Sequence, residues 1–238
     1  MEVISNQRLP SAVREDALNK PWRPLPSQRL TMPGARRLLL VAIVPSVLVV
    51  SWALGTWRES PALAVATWMY NDLGGADESY IVRNLLNACG LTLFGIGSTV
   101  IAAGGAGVTR EGYLWLLLMG LVVFVTVHVQ DLADVEGDAA RGRRTIPLVH
   151  GENIARWSAA TAILACSFIG PAFWGLGAPG FVFIICIGGC LSLGILVYRS
   201  LEANKFAWKI WCVWITALYL LPLLKDHTAL TRYYQGLR

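Results

Sequence analysis

Six stretches of about 20 mostly apolar residues dominate this chain, at 37–57, 82–104, 112–131, 152–174, 179–199 and 206–224. A helix rises about 1.5 Å per residue, so a run of that length crosses a hydrocarbon core of about 30 Å. A shorter apolar run, 61–72, lies between the first two. It is short for a span of its own, yet a crossing there puts segments 1–36, 73–81, 132–151 and 200–205 on one side. Most of the 20 Lys and Arg then fall on that side, which the positive-inside rule makes cytoplasmic. Without that crossing, segment 1–36 would oppose loop 132–151 and the bias would blur. The expected fold class is all-α, a polytopic transmembrane helix bundle of about seven spans. Its expected organisation is a cytoplasmic segment 1–36, a bundle over 37–224 and a tail from 225 to 238.

Composition agrees. Hydrophobic residues make up 55% and charged residues 15%, against roughly 45–50% and about 25% in soluble domains. A cytosolic globular enzyme, a disordered tail and a nucleic-acid binder are all disfavoured. The net charge of +5 is spread between apolar runs and forms no single patch. Cys89, Cys166, Cys186, Cys190 and Cys212 lie in apolar stretches without CxxC spacing, and are expected to pack as small hydrophobes. Residues 1–36 are polar and Pro-rich, without the apolar stretch of a secretory leader.

Three polar segments on the same side carry the chemistry. The third is the sharpest: Gln130-Asp131-Leu132-Ala133-Asp134-Val135-Glu136-Gly137-Asp138, then Arg141, Gly142, Arg143, Arg144 and Thr145. On a continuous helix, Asp131, Asp134 and Asp138 at i, i+3 and i+7 fall within roughly 60° of one another. Crowded carboxylates repel, and an all-oxygen set suits Mg²⁺. Glu136 points away and is expected to face water. Acids with nearby arginines are what a Mg²⁺-bridged diphosphate requires. The alternative is a solvated acidic loop whose arginines obey the positive-inside rule. The first segment pairs Asn6, Glu15 and Asp16 with Lys20 and Arg23, and the second holds Tyr70, Asn71 and Asp72, then Arg83, Asn84 and Asn87. Charge at a span end is costly and usually functional.

On these residues the chain resembles the UbiA superfamily of intramembrane prenyltransferases, and within it the fungal branch that includes terpene cyclases. The 130–138 run with Gly142 and Thr145 looks like the family's second aspartate-rich motif. Asn19-Lys20-Pro21-Trp22-Arg23-Pro24-Leu25-Pro26-Ser27 is similar to the segment after the first motif, and Tyr70-Asn71-Asp72-Leu73-Gly74-Gly75 with Arg83-Asn84 resembles fungal members. The resemblance implies a bundle of nine spans around a central cavity, capped on the cytoplasmic side by two motifs that hold Mg²⁺ and an isoprenyl diphosphate. About seven spans are present here, as if the first two helices were missing. It also implies loss of diphosphate to leave an allylic cation, trapped by an acceptor or, in cyclases, by an internal double bond. The first motif departs from the family's N-D-x-x-D-x-x-x-D: Asn6 fits, but Gln7, Pro10 and Arg14 occupy the acidic positions.

The resulting metal ligands are Asp131, Asp134 and Asp138, with Asn6, Glu15 and Asp16 as a second set. Lys20, Arg23, Arg83, Asn84, Asn87, Arg141 and Arg144 are the diphosphate candidates. Trp68, Tyr70, Tyr80 and Phe124 are the cavity aromatics, whose π faces stabilise cations. Trp57, Trp208 and Tyr233 are assigned to the interface belts. His128 is read as a buried neutral ring bonded to a neighbouring helix, and the Gly-rich stretches 95–107 and 188–194 as close-packing surfaces. The leading function is transfer of a prenyl group to an acceptor. Terpene cyclisation is the alternative, followed by an inactive or non-enzymatic membrane protein; a transporter would place its charges nearer midplane. An endomembrane such as the endoplasmic reticulum is the expected location in a eukaryote.

Overall fold

A computed structural model describes residues 2–104 and 108–225; the tail after Lys225, with Tyr233, lies outside the described residues. The described chain is helical. Two short helices, α1 (Glu2–Gln7) and α2 (Pro10–Asn19), precede α3 (Met32–Ala53), α4 (Glu59–Asn71), α5 (Gly75–Glu78) and α6 (Tyr80–Ala102). Next come α7 (Arg110–Thr126), α8 (Val135–Arg141), α9 (Ile146–His150), α10 (Glu152–Phe173), α11 (Ala178–Val197), α12 (Leu201–Tyr219) and α13 (Leu221–Lys225). Among the described residues no strand occurs.

Local chemistry sets the helix ends. Thr31, Ser79, Thr109 and Ser200 cap α3, α6, α7 and α12, each accepting a backbone N–H three residues on. Such caps satisfy one of the donors that a helix start leaves open. Pro45 lacks an N–H and crowds the carbonyl four residues earlier, and α3 widens to a π turn at Leu39–Ile43 just before it.

Five helical stretches are long and apolar enough to cross a membrane: Met32–Ala53, Tyr80–Ala102, Arg110–Leu132, Glu152–Phe173 and Ala178–Val197. The other two expected spans, 61–72 and 206–224, fall on α4 and α12. Helix α4 has 13 residues, about 20 Å at 1.5 Å each, short of a full crossing. Helix α12 starts at Leu201, not 206, so its first half carries Glu202, Lys205 and Lys209. Both pack in the same bundle: α4 lies on α6, and α12 on α11.

The core sits between α7, α10, α11 and α12, around Met119, Val123, Ile163, Ile184, Trp214 and Leu218. Glycines permit the close approaches. A Cβ on Gly188 would collide with Ser167, which accepts a 3.0 Å hydrogen bond from the Trp214 indole. Gly120, outside the two glycine-rich stretches, abuts Thr92 in the same way, whereas Gly189 and Gly194 touch nothing. Close packing in the 188–194 stretch therefore rests on Gly188 alone. All five cysteines are free, but only Cys166 packs in the interior; Cys89, Cys186, Cys190 and Cys212 are exposed. Gly188→Ala should overpack the α10–α11 contact and cost about 1–3 kcal/mol, whereas Gly189→Ala should be neutral; thermal unfolding in detergent measures both.

Candidate functional site

Helix α7 tightens into a 3₁₀ segment, Val127–Leu132, and the chain then leaves the helix at Ala133. Asp134 sits outside the next helix, at its N-cap, before α8 begins. The three aspartates therefore do not share one helical face, because the helix they were expected to ride is broken between the first two. Asp131 and Asp138 are 0% exposed, while half-buried Asp134 pairs with Lys20 at 3.1 Å. Among the described residues, no three His, Cys, Asp or Glu side chains converge on a point that would hold an ion unaided.

Asp131 and Asp138 are instead held by arginine. Arg83, in the first turn of α6, donates from Nη2 to Asp131 Oδ1 at 2.9 Å and from Nη1 to the Tyr70 hydroxyl at 2.8 Å. Arg143 Nη1 donates to Asp138 Oδ1 at 2.8 Å and to Glu15 Oε1 at 2.7 Å, and its Nε to Asp77 Oδ1 at 3.0 Å. Arg141 Nη1 reaches the other Glu15 oxygen at 3.0 Å. Its Nε lies 2.9 Å from Asp77 but is misdirected and bonds to nothing. Arg23 grips both oxygens of Asp16, at 2.7 and 2.9 Å, and Arg8 pairs with Asp72. The structure thus gathers the polar segments into two neighbouring clusters: Glu15, Asp77, Asp138, Arg141 and Arg143 join α2 and α5 to α8, and Arg83 of α6 joins Asp131 of the 3₁₀ segment to Tyr70 of α4.

A glycine makes the central link possible. Gly142 has φ of +78° and ends α8. Its N–H bonds to Ala139 O, and the Arg143 N–H turns back to Asp138 O at 2.9 Å. That is the Schellman pattern, whose left-handed residue favours Gly. It throws the Arg143 side chain back over Asp138.

The lattice is incomplete. Asp131 Oδ2 and Asp138 Oδ2 are buried without a hydrogen-bond partner, as are Arg83 Nε, Arg141 Nη2 and Thr145 Oγ1. Native proteins rarely leave such groups unmet. Two acceptors ask for a cation or donor, and the guanidinium nitrogens ask for an anion. Burial pushes the Asp138 carboxyl up to about 6; the Asp131 charge adds to this, against the pull of Arg83 and Arg143.

Beside Tyr70, the partner of Arg83, opens a cavity of about 160 Å³. Tyr70, Asn87 and Gln130 line its polar end, with Trp208, Leu63 and Phe94 around it. Trp208 stacks on Trp211 at 4.7 Å, and the Trp211 indole donates to Thr126. Half-buried Trp208 therefore walls the cavity. Of the other expected aromatics, Tyr70 alone borders the cavity. Trp68 is exposed, Tyr80 stacks edge-on against His150, and Phe124 packs on the core and accepts at its carbonyl from Asn84. Asn87 Nδ2 has no partner. Asn6 is half-buried on α1, and Arg144 and Glu136 are exposed. His128 Nε2 meets Ala155 O and Ser158 of α10, the neighbouring-helix bond expected of it.

The residues that sequence reasoning passed over are Arg143, Asp77 and Trp208, together with a brace behind the site. Buried Arg156 bonds Glu152, the carbonyls of Ile195 and Tyr198, and Asn204 Oδ1. Asn204 Nδ2 donates to Leu132 O at 2.9 Å, next to Asp131. Arg156 stands out in the sequence as a charge inside an apolar run, whereas Asn204, in the polar segment 200–205, carries no such signal.

The UbiA prenyltransferase family matches residues 12–225. This chain belongs to that family. It is 35% identical over 162 residues to a fumagillin beta-trans-bergamotene synthase of Aspergillus fumigatus, covering 68% of this chain and 55% of that protein. A diterpene cyclase of Hericium erinaceus is 30% identical over 63% of this chain and 47% of its own length. A polyprenyl transferase of the same organism is 29% identical over 81% of this chain and 61% of its own. The chain spans about half the length of the curated relatives it matches. No solved structure matches it. The UbiA resemblance read from the motifs is thus confirmed, and its fungal terpene-synthase branch with it.

Two outcomes test the lattice. Arg143→Met should strand buried Asp138 and Glu15 and destabilise the protein by roughly 3–5 kcal/mol, while Arg144→Met, on an exposed residue, should stay within about 0.5 kcal/mol. Because the folded Asp138 pKa is raised from 3.8 to about 6, its contribution is full below pH 3.8 and is lost as pH rises through 6. Asp138→Asn, which mimics the protonated form, should match wild type at about pH 3 and exceed it by at most roughly 3 kcal/mol at pH 7.5. Thermal unfolding at both pH values measures the crossover.

Proposed function

We propose that this protein is an Mg²⁺-dependent membrane enzyme that ionises an isoprenyl diphosphate and transfers the prenyl group to an acceptor. One observation carries the proposal: two buried carboxylates, each with one unpaired oxygen, are paired to arginines, Arg83 and Arg141 keep unpaired nitrogens, and Tyr70, bonded by Arg83, lines an aromatic-walled cavity. The donor set suits the metal. Mg²⁺ ordinarily takes one or two carboxylates, its own waters and substrate phosphates, without an all-protein cage. Asp131 and Asp138 would supply those carboxylates, with Asp134 nearby on Lys20. Glu15 and Asp16 already answer Arg141, Arg143 and Arg23, so a second ion at the first motif would have to displace guanidinium groups.

When bound, the cation neutralises charge on the departing diphosphate. The chain's own groups do the rest. Arg83 Nε and Arg141 Nη2 offer hydrogen bonds to phosphate oxygens, in a buried setting where such bonds are strong. Lys20 and Arg23 add positive charge at the rim. The apolar prenyl chain is sheltered from water below, and the Tyr70 and Trp208 rings offer π faces to an allylic cation. By the positive-inside rule this mouth faces the cytoplasm, and an endomembrane is the expected host in a eukaryote.

Terpene cyclisation is the second reading. The synthase and the cyclase among the relatives are the more identical, and the cavity beside the carboxylates is small enough to fold a chain on itself. The transferase match, in turn, covers more of this chain.

The test is incubation of the chain in lipid nanodiscs with farnesyl or geranylgeranyl diphosphate and Mg²⁺, with and without a phenolic acceptor. Diphosphate release is expected, falling at least about 100-fold in Asp131→Asn or Asp138→Asn. A cyclic product without acceptor assigns cyclisation, and consumption only on adding acceptor assigns transfer. No release, or variants as active as wild type, would sink the proposal.

A further inference from the structure

The cavity beside Tyr70 has a neighbour. Leu63 of α4 and Phe94 of α6 line its inner end, and the same two residues line a second hollow of about 400 Å³ between α3, α4 and α6. No other described residue borders both.

The spacing on α6 explains this arrangement. Asn87, Gly90, Phe94, Gly97 and Ile101 recur at intervals of three and four residues, forming one stripe along the helix. Glycines stand where the hollows open. The nearest atom to a Cβ built on Gly90 is Leu63 Cδ1 at 3.9 Å, and for Gly97 it is Glu59 Cβ at 3.7 Å. Phe94 fills the turn between the two glycines. From Asn87 to Ile101 the helix rises about 21 Å. A single groove therefore leads from the unpaired Asn87 amide to the far end of α6, pinched once. Beyond the pinch its lining is mixed: Val47, Val50 and Leu54 of the α3 region suit hydrocarbon, and serine and threonine hydroxyls and Glu59 stand beside them.

We infer that Phe94, with Leu63 opposite, partitions this groove and sets which isoprenoid chain lengths the protein prefers. Units nearest the diphosphate occupy the smaller hollow, and units beyond the pinch occupy the larger one. The inference rests on the reading of the mouth as a diphosphate site. Phe94 is 50% exposed, so trimming it opens no void in the packed core. Ser98 is exposed and borders only the larger hollow, so enlarging it obstructs that compartment without touching the other.

The experiment measures equilibrium binding of farnesyl and geranylgeranyl thiolodiphosphates, and of farnesol and geranylgeraniol, to the full chain in nanodiscs. Phe94→Ala should raise the ratio of geranylgeranyl to farnesyl affinity by about tenfold, and Ser98→Leu should lower it by a similar factor, since each methylene gained or lost from the groove carries a fixed increment. The alcohols should move in the same directions. A ratio unmoved by both variants, as when lipid acyl chains fill the larger hollow, overturns the partition even where the diphosphates bind. Ratios that move for both series, with no affinity gained from the diphosphate, uphold the partition and remove the diphosphate reading. No binding by either series overturns both.

Discussion

A carboxylate withdrawn from water at the edge of a membrane bundle must be matched by positive charge or give up its own. Asp131 and Asp138 are both fully buried, and the surrounding architecture answers that demand. Stripping an ion of solvent costs several kcal/mol after relaxation. Arg83 and Arg143 offset that cost for one oxygen of each acid. Each arginine also bonds a partner from another element, Tyr70 for Arg83, Glu15 and Asp77 for Arg143. The electrostatic requirement of two side chains thereby ties α4 and α6 to the 3₁₀ segment, and α2 and α5 to α8.

What the lattice leaves open matters as much as what it closes. A network built only for stability would satisfy every buried atom. Here both acceptors and donors remain unmet around the aspartates. The cavity walled by Tyr70 and Trp208 adjoins them through the Arg83–Tyr70 bond. Unmet charge of both signs beside a largely apolar cavity is the basis of the proposal of an amphiphilic substrate with an anionic head and a hydrocarbon tail. The Arg156–Asn204 brace stands behind this mouth and fixes the Leu132 carbonyl, so that the 3₁₀ segment presenting Asp131 has a rigid back.

Much of this was legible in the residues. Apolar runs of spanning length announce helices whatever their neighbours do, because backbone groups in lipid have no other partner. Arg83 stood out because a charge at a span end is rarely idle, and Asp131 and Asp138 because acids beside arginines are costly to leave unpaired. The readings that failed depended on exact helical phase or on a side chain's direction. Asp134 was grouped with its neighbours by assuming an unbroken helix, and the break at Ala133 sends it to Lys20. For Trp208 the sequence suggests only an interface belt, and the rotation of α12 that sets it on the cavity is not written in local pattern.

Composition and order along the chain determined the class of molecule: helices, their approximate ends, and the gathering of polar segments at one membrane face. Those properties follow from local hydropathy and capping, which each residue carries with it. Only tertiary structure decided which arginine meets which acid. Arg141, Arg143 and Arg144 are near-identical in sequence terms, yet the left-handed turn at Gly142 buries Arg143 against Asp138 and leaves Arg144 in water. Such choices are set by a few ångströms of backbone path and by contacts between residues more than a hundred positions apart, as with Glu15 and Arg143. No local pattern encodes them, because the energy that selects one pairing over another exists only once both partners have been removed from water together.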